Sequence, residues 1–264
     1  MKTKLLFWFA TFVLTGFLLA ALYSCSDDEI DKVENTVTDI DGNVYRTVII
    51  GDREWMAENL RVTRYHNGNA IPTDLNNTQW AETTEGAFAI YPHGSIPGLN
   101  TDEKVLEAYG ALYNWYAVNT AVLCPEGWSV PSHDEFKQLV DYVVSQGYPN
   151  HYSNPIGAGH ALKSCWQVGS PLGGDCDTSE HPRWKSQSTR HGFNEFEFSA
   201  LPGGQRLPNA DYDGIGDNGH LWSSSEGSAT AAWGRYFGSY GGSMISSGYN
   251  NRHGFSVRCV RNIE

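Results

Sequence analysis

The chain has 264 residues, a formal net charge of −12 and 13% aromatic residues, and only 18% of its residues are charged. This composition is typical of a folded, loop-rich protein and excludes a largely disordered chain. The excess of acidic residues would repel phosphate backbones, so nucleic acid is not an expected partner.

The first 24 residues have the pattern of a secretory leader. Lys2 and Lys4 precede an apolar run over residues 5–22, which is followed by Tyr23 and Ser24. A basic start, an apolar centre and small residues before a cut site are typical of a signal peptide. A single membrane-spanning helix is the alternative, because a run of this length is close to the minimum that crosses a bilayer.

The end of this leader, Leu-Tyr-Ser-Cys at residues 22–25, resembles the lipobox of bacterial lipoproteins. The resemblance implies that residues 1–24 are removed and that Cys25 carries the lipid that anchors the mature chain to a membrane. The acidic residues that follow at once, 27–29, resemble the surface-export signal of Bacteroidota lipoproteins. This implies a surface-exposed position on the outer membrane, with a periplasm-facing anchor as the alternative. Residues 25–35 are predicted to be a lipidated tether, and the domain spans 36–264.

The domain begins with alternating apolar and polar residues. We predict a three-strand meander over 36–40, 43–50 and 53–57, with turns at Asp41-Gly42 and Gly51-Asp52. Residues 61–107 are predicted to be irregular. Residues 108–118 are predicted to form a helix, because Leu112, Trp115 and Tyr116 would share one face.

A second predicted helix starts at Ser132, which forms a capping-box pattern with Glu135, and ends at Gly147. Its apolar stripe is Phe136, Leu139, Val140 and Val143. A short helix over 160–166 is possible, and short strands follow at 196–201, 220–224, 231–238, 243–247 and 254–261. The order strands, helices, strands predicts an α+β domain with two main helices and an antiparallel sheet that joins the two chain ends.

Six segments together resemble the Fibrobacter succinogenes major paralogous domain (FISUMP) family. They are DIDGNVYRTVIIGDREWMAENL (39–60), YGALYNWYAV (109–118), CPEGWSVPSHDEF (124–136), FSALPGG (198–204), LWSSSE (221–226) and GFSVRCVR (254–261). The resemblance implies an exported protein, in a family mostly of unknown function and sometimes described as adhesins.

Two of these regions, 131–140 and 254–261, are also similar to formylglycine-generating-enzyme-like domains. That similarity implies a C-type-lectin-like fold, in which the first and last strands pair. It is an analogy of fold and does not by itself assign an activity.

Four cysteines remain once Cys25 is assigned to lipid, and an even number in an exported domain predicts disulfides. Three pairings are possible. We favour Cys124–Cys259, which would tie the segment before the main helix to the last strand, as lectin-like folds often do. The second bond would be Cys165–Cys176, which would close a glycine-rich loop. A metal or redox site is the alternative, although the sequence has no C-x-x-C.

One acidic segment is a candidate cation site. Asp211, Asp213 and Asp217 are separated by glycines and could wrap a calcium ion, which prefers flexible oxygen ligands. The alternative is a surface turn, which the same residue types favour. No other cofactor and no catalytic residue is predicted.

Aromatic residues in or beside loops are candidates for ligand contact. A platform for carbohydrate would use Trp184, Trp222, Trp233, Tyr240 and Tyr249, whereas core packing is the alternative for each of them. The function expected is a non-catalytic surface module that binds a glycan or a protein. The alternatives are a structural subunit of a surface assembly or pilus tip, and an enzyme with a degenerate formylglycine-generating-like cleft.

Overall fold

The computed structural model describes residues 35–263, which form an α+β domain. The strands are β1 (Thr36–Thr38), β2 (Val44–Ile50), β3 (Arg53–Met56), β4 (Phe88–Ala89), β5 (Leu112–Tyr113), β6 (Gly203–Arg206), β7 (Tyr212–Ile215), β8 (Asn218–Ser228), β9 (Ala231–Gly238), β10 (Ile245–Asn250) and β11 (Val260–Asn262). The helices are α1 (Asn77–Glu82), α2 (Asp102–Tyr109), α3 (Trp115–Val118), α4 (His133–Ser145) and α5 (Ala158–Leu162). The predicted signal peptide, Cys25 and nearly all of the predicted tether lie outside the described residues.

The two ends of the domain meet in one sheet, as predicted. Its strand order is β1-β2-β3-β11, and all three strand pairs are antiparallel. The last strand pairs with the third, so that Val260 lies opposite Trp55. The predicted turns are also present, because Gly42 and Gly51 have φ values of 84° and 68°, which glycine adopts without steric cost.

A second sheet has the order β10-β9-β8-β6-β7. The long strands β8 and β9 form its centre, whereas β6 runs parallel to β8. A short two-stranded sheet of β4 and β5 completes the β-structure that the described residues contain. Among the named strands of residues 35–263, all pairs are therefore antiparallel except that of β6 with β8.

The core lies between the first sheet, helix α4 and the second sheet. Trp55 of β3 is fully buried, with its ring 5.5 Å from Phe136 of α4 and 5.9 Å from Phe198. Trp222 of β8 is also fully buried, 4.5 Å from the ring of Phe255. Burial of side chains of this size stabilises a fold by about 1.5 to 3 kcal/mol each.

Helix α4 has the predicted boundaries and capping box. The Ser132 hydroxyl accepts from the backbone N–H of Glu135, and the Glu135 carboxylate accepts from the backbone N–H of Ser132. Phe136, Leu139 and Val143 are its buried residues. Gly147 follows with φ 97°, as expected for a residue that ends a helix.

The prediction of one helix over 108–118 is wrong. Helix α2 ends at Tyr109 because Gly110 has φ 77° and packs tightly: a Cβ there would lie 2.9 Å from the Leu60 carbonyl oxygen. The chain then forms β5, and Asn114 caps the short helix α3. Helix α2 itself lies mostly in the stretch that was predicted to be irregular, and Thr101 caps it.

Two predicted strands are also corrected. Residues 196–201 do not form a strand, because Glu197 and Ser199 have φ values of 53° and 51° that break extended structure. Of residues 254–261, only those from Val260 onward belong to a strand, and Phe255 and Ser256 make isolated bridges. The predicted short helix over 160–166 is found earlier, as α5.

Two disulfides close the domain, in the favoured pairing. Cys124 is bonded to Cys259 and Cys165 to Cys176. The first bond joins positions 135 residues apart, whereas the second spans 11 residues. None of the helices within residues 35–263 is long and apolar enough to cross a membrane.

Candidate functional site

A cleft of about 390 Å³ opens where several distant parts of the chain meet. Its lining comes from β2 and the segment after β3, from the end of α2, and from the loops around residues 166, 182 and 201. The lining residues are Arg46, Ala57, Glu58, Asn59, Arg61, Glu107, Ala108, Gly110, Trp166, Pro182 and Leu201. The volume is within the range of known small-ligand sites.

One side of the cleft is charged but balanced. Glu58 lies 3.2 Å from Arg61 and 3.9 Å from Arg46, between N and O atoms, so a single carboxylate bridges two guanidinium groups. Arg61 is held in place by a hydrogen bond of 2.8 Å to the Val44 carbonyl and by packing 4.5 Å over the ring of Tyr45. With Glu107 the lining contains two basic and two acidic side chains, so the cleft has no net charge.

The other side is apolar and includes the half-buried indole of Trp166. The Trp166 carbonyl accepts from the backbone N–H of Trp184 at 2.8 Å. The preceding residue, Cys165, is bonded to Cys176. Pro182 and the buried Leu201 extend this apolar wall. The tryptophan is thus presented by a loop that is fixed on both sides.

The floor is held by buried hydrogen bonds. The Asn59 side chain donates to the Tyr109 carbonyl at 2.9 Å and to the Ser256 hydroxyl at 3.1 Å. Its oxygen accepts from the fully buried Arg258 at 3.0 Å. These bonds connect the segment after β3 to the end of α2 and to the C-terminal segment, so the cleft is largely preformed.

A second cavity of about 240 Å³ is lined in part by Tyr109, His181, Arg183 and Lys185, and two of these residues, His181 and Arg183, flank Pro182 of the cleft in sequence. The Tyr109 hydroxyl donates to His181 Nδ1 at 2.7 Å, and His181 Nε2 donates to the Pro97 carbonyl at 3.1 Å. Burial raises the pKa of Tyr109 to about 12 and lowers the pKa of His181, so both are neutral at pH 7. The pKa of Lys185 is raised, chiefly by its hydrogen bond to Asp217.

Two of the predicted platform residues are in the core, which corrects that expectation. Trp184 is 3% exposed and Trp222 is fully buried. The Trp184 indole donates to the Ser164 hydroxyl and the Ala200 carbonyl, and the Trp222 indole donates to the Tyr113 carbonyl. Their ring faces therefore pack inside the protein, where a glycan cannot stack on them.

The other three aromatic candidates lie apart from the cleft lining. Trp233 is half-buried, with its ring 4.4 Å from that of His133. Tyr249 packs 4.9 Å from Phe255, and burial raises its pKa to about 12. Tyr240 is 58% exposed, and its carbonyl accepts from Arg190 at 3.0 Å. Of the five, Tyr240 has the ring that is most open to solvent.

The three aspartates of the candidate calcium site have separate partners. Asp211 accepts from the Asn209 amide at 2.7 Å, Asp213 accepts from Gln205 at 3.3 Å, and Asp217 is ion-paired with Lys185. Within residues 35–263 there is no group of three or more His, Cys, Asp or Glu side chains placed to hold a metal ion. The structure therefore does not bring these aspartates together.

The residues of the cleft were not identified as ligand contacts from the sequence. Arg46 and Glu58 belong to a segment that was interpreted only as strands and family motif, and Arg61 begins the stretch that was predicted to be irregular. Trp166 is not among the five aromatic candidates that the sequence suggested. Its position directly after a disulfide-bonded cysteine was the one local signal that its ring is held at a fixed place.

Comparison with known proteins places the chain in a family. The family model of the Fibrobacter succinogenes major domain matches residues 48–261. No curated protein and no solved structure matches the chain. The matched range includes both disulfides, the charged side of the cleft except Arg46, and the Trp166 loop. The chain belongs to the Fibrobacter succinogenes major domain family.

Proposed function

We propose that this domain is a non-catalytic module that binds a glycan in the cleft beside Trp166, outside the cell. The observation that supports the proposal is the composition of the cleft: a half-buried indole and Pro182 on one side, and Arg46, Glu58 and Arg61 on the other. Sugars present C–H faces that pack against rings and hydroxyl groups that need polar partners. A preformed cleft with both kinds of surface suits such a ligand.

The charge balance of the cleft favours binding over catalysis. Glu58 is bridged by two arginines, and its oxygens are already used as acceptors from Arg61 and from the backbone N–H of Arg46. Because both of its oxygens are engaged within the protein, Glu58 is suited to hold Arg46 and Arg61 in place beside a ligand.

The proposal includes a C-type-lectin-like fold. The pairing of β3 with β11, and the Cys124–Cys259 bond between the segment before α4 and the end of the chain, support it. The strand pairing joins the two ends of the domain, as the resemblance noted in the sequence implies, and the disulfide ties the segment before α4 to the last strand.

The proposed location is the surface of the outer membrane, through lipid on Cys25. The leader and lipobox pattern support it, and the two disulfides are typical of a domain that folds in an oxidising compartment. Metabolic labelling with a clickable palmitate analogue should mark the wild-type chain and leave a Cys25→Ser variant unmarked. Membrane attachment that survives in Cys25→Ser would contradict the anchor.

The binding itself is tested on a glycan array with the purified full chain, with and without calcium. We expect a set of related glycans to bind, and a Trp166→Ala variant to lose them. A chain that binds no glycan while it self-associates in analytical ultracentrifugation would instead favour a structural subunit of a surface assembly.

A further inference from the structure

Arg183 is a cation without an acidic partner in the second cavity. Its side chain lines this cavity, and its Nε atom is buried without a hydrogen-bond acceptor. Across residues 35–263 its guanidinium forms no ion pair. The Nε atom itself is enclosed by protein, so a ligand in the cavity would meet the terminal nitrogens of this half-buried guanidinium, for which no partner is found among residues 35–263.

The other ionisable groups of the cavity are already occupied. Lys185 is ion-paired with Asp217, and both ring nitrogens of His181 are engaged, with Tyr109 and with the Pro97 carbonyl. The cavity lining therefore supplies no carboxylate that could neutralise Arg183. An incoming anion would complete the set of contacts.

The backbone that carries Arg183 is fixed. The Arg183 N–H donates to the Tyr109 hydroxyl at 3.3 Å, and the next residue, Trp184, is buried and hydrogen-bonded to the Trp166 carbonyl. The guanidinium is therefore presented from an ordered segment, which lowers the entropy that a ligand must overcome.

We propose that this cavity is a carboxylate subsite, and that the glycan held beside Trp166 is an acidic one that contains a uronic acid. This inference rests on the proposed function and names the ligand class for the same surface. Pro182 lines the cleft, while its neighbours His181 and Arg183 line the cavity. The two openings therefore share the segment 181–183, and a ligand that extends across this segment would contact both. The planar fork of arginine matches a carboxylate through two parallel hydrogen bonds.

The net charge of −12 does not oppose this assignment at short range. Repulsion between exposed charges is screened over about 8 Å at physiological ionic strength, so the contact inside the cavity determines binding. The acidic surface would mainly slow the approach of an acidic ligand.

The test compares neutral oligosaccharides with their uronic-acid-containing counterparts on an array. It uses the full wild-type chain, Arg183→Gln, and Lys137→Gln as a matched loss of one charge on the exposed face of α4. We expect wild type and Lys137→Gln to prefer the uronic acid forms. Arg183→Gln should lose about tenfold to a hundredfold in affinity for these forms and none for the neutral ones.

A second readout does not depend on which sugar ring fits the cleft. In NMR spectra of the arginine Nε–Hε groups, the Arg183 signal is assigned by its loss in Arg183→Gln. It should shift on addition of glucuronate and not of methyl glucoside. Thermal unfolding of Arg183→Gln should match wild type, which shows that the variant is folded.

The outcomes separate the two proposals. Uronic acid binding that is unchanged in Arg183→Gln, a wild-type preference for neutral or sulfated glycans, or an Arg183 signal that ignores glucuronate would each overturn the carboxylate subsite. The glycan cleft would then still stand. A wild-type chain that binds no glycan at all would overturn the proposed function and this inference with it.

Discussion

Cys165 is bonded to Cys176, and the loop that this bond closes begins with Trp166, the aromatic wall of the cleft. The Cα atoms of the two cysteines lie 5.1 Å apart, although 11 residues separate them in sequence. A short covalent loop thus holds a half-buried indole beside Pro182. The Cys165–Cys176 bond therefore positions a side chain of the candidate site, whereas the Cys124–Cys259 bond ties distant parts of the fold together.

The two disulfides should differ in their effects. The Cys165→Ser/Cys176→Ser double variant should lose about 3 kcal/mol of unfolding free energy and Cys124→Ser/Cys259→Ser about 5 kcal/mol, because a longer closed loop restricts the unfolded chain more. The Cys165→Ser/Cys176→Ser variant should remain folded but bind the glycan more weakly. Chemical denaturation and the glycan array measure these effects. Wild-type glycan affinity in the Cys165→Ser/Cys176→Ser variant would show that the disulfide-closed loop does not position the binding site.

The aromatic contact should be located at Trp166 and not at Tyr240. Trp166→Ala should weaken glycan binding about thirtyfold, as expected for a central aromatic contact. Tyr240→Ala removes an exposed ring that does not line the cleft and should leave affinity unchanged. Titration calorimetry with an array hit gives both values. The reverse result would place the site on the Tyr240 surface.

Arg258 should be essential for stability. It is fully buried and donates to the Asn59 side chain and to the carbonyls of Phe198 and Ser199. Arg258→Met leaves these acceptors unpaired and should cost about 3 kcal/mol or more.

An exposed arginine provides the control for this variant. Arg64→Met breaks the ion pair with Asp41 at the surface and should cost less than about 1 kcal/mol. Both costs are measured by urea unfolding. Equal costs would mean that Arg258 contributes no more than a surface charge.

The stability of the domain should depend on pH through His220. Burial, and then the charge of His253, lower the pKa of His220 from 6.5 to about 3. Between these values the unfolded chain binds a proton that the folded protein does not, so stability falls as pH is lowered through this window. The slope from this group is about 1.4 kcal/mol per pH unit.

A phenylalanine should remove this slope with little change in packing, because the His220 ring already stacks 4.6 Å from Phe255. Between pH 6.5 and 4, the unfolding free energy of His220→Phe should therefore fall less steeply with pH than that of wild type, by about 1.4 kcal/mol per pH unit. The exposed His151→Phe change should keep the wild-type slope. An unchanged slope in His220→Phe would show that the ring is protonated in the folded protein.

Calcium should not stabilise the domain. A ligand raises the unfolding temperature only if it binds the folded state, and the carboxylates of Asp211, Asp213 and Asp217 contact three different partners. Thermal unfolding in excess calcium and in EDTA should therefore give the same midpoint. A clear increase in calcium would mean that these aspartates rearrange around the ion.

Local patterns were sufficient to predict several elements. Helix α4 was predicted with its cap, because the capping box and the apolar stripe lie within one stretch of chain. The turns at Gly42 and Gly51 were predicted for the same reason, since neighbouring residues determine which φ values a turn requires. The family motifs could be recognised because their order and spacing are preserved in the linear chain.

Contacts between distant residues decided the rest. Gly110 interrupts the predicted helix with a φ of 77°, and the next residue, Ala111, donates instead to the carbonyl of Leu60, a partner in a distant segment that no local pattern identifies. The cleft combines Glu58, Glu107 and Trp166, which only folding brings together. Whether an aromatic side chain is core or surface likewise depends on what packs over it. The sequence by itself therefore determined the family, the main helix and the hairpin turns, whereas the tertiary structure decided where a ligand could bind, because burial and proximity are properties of the folded chain.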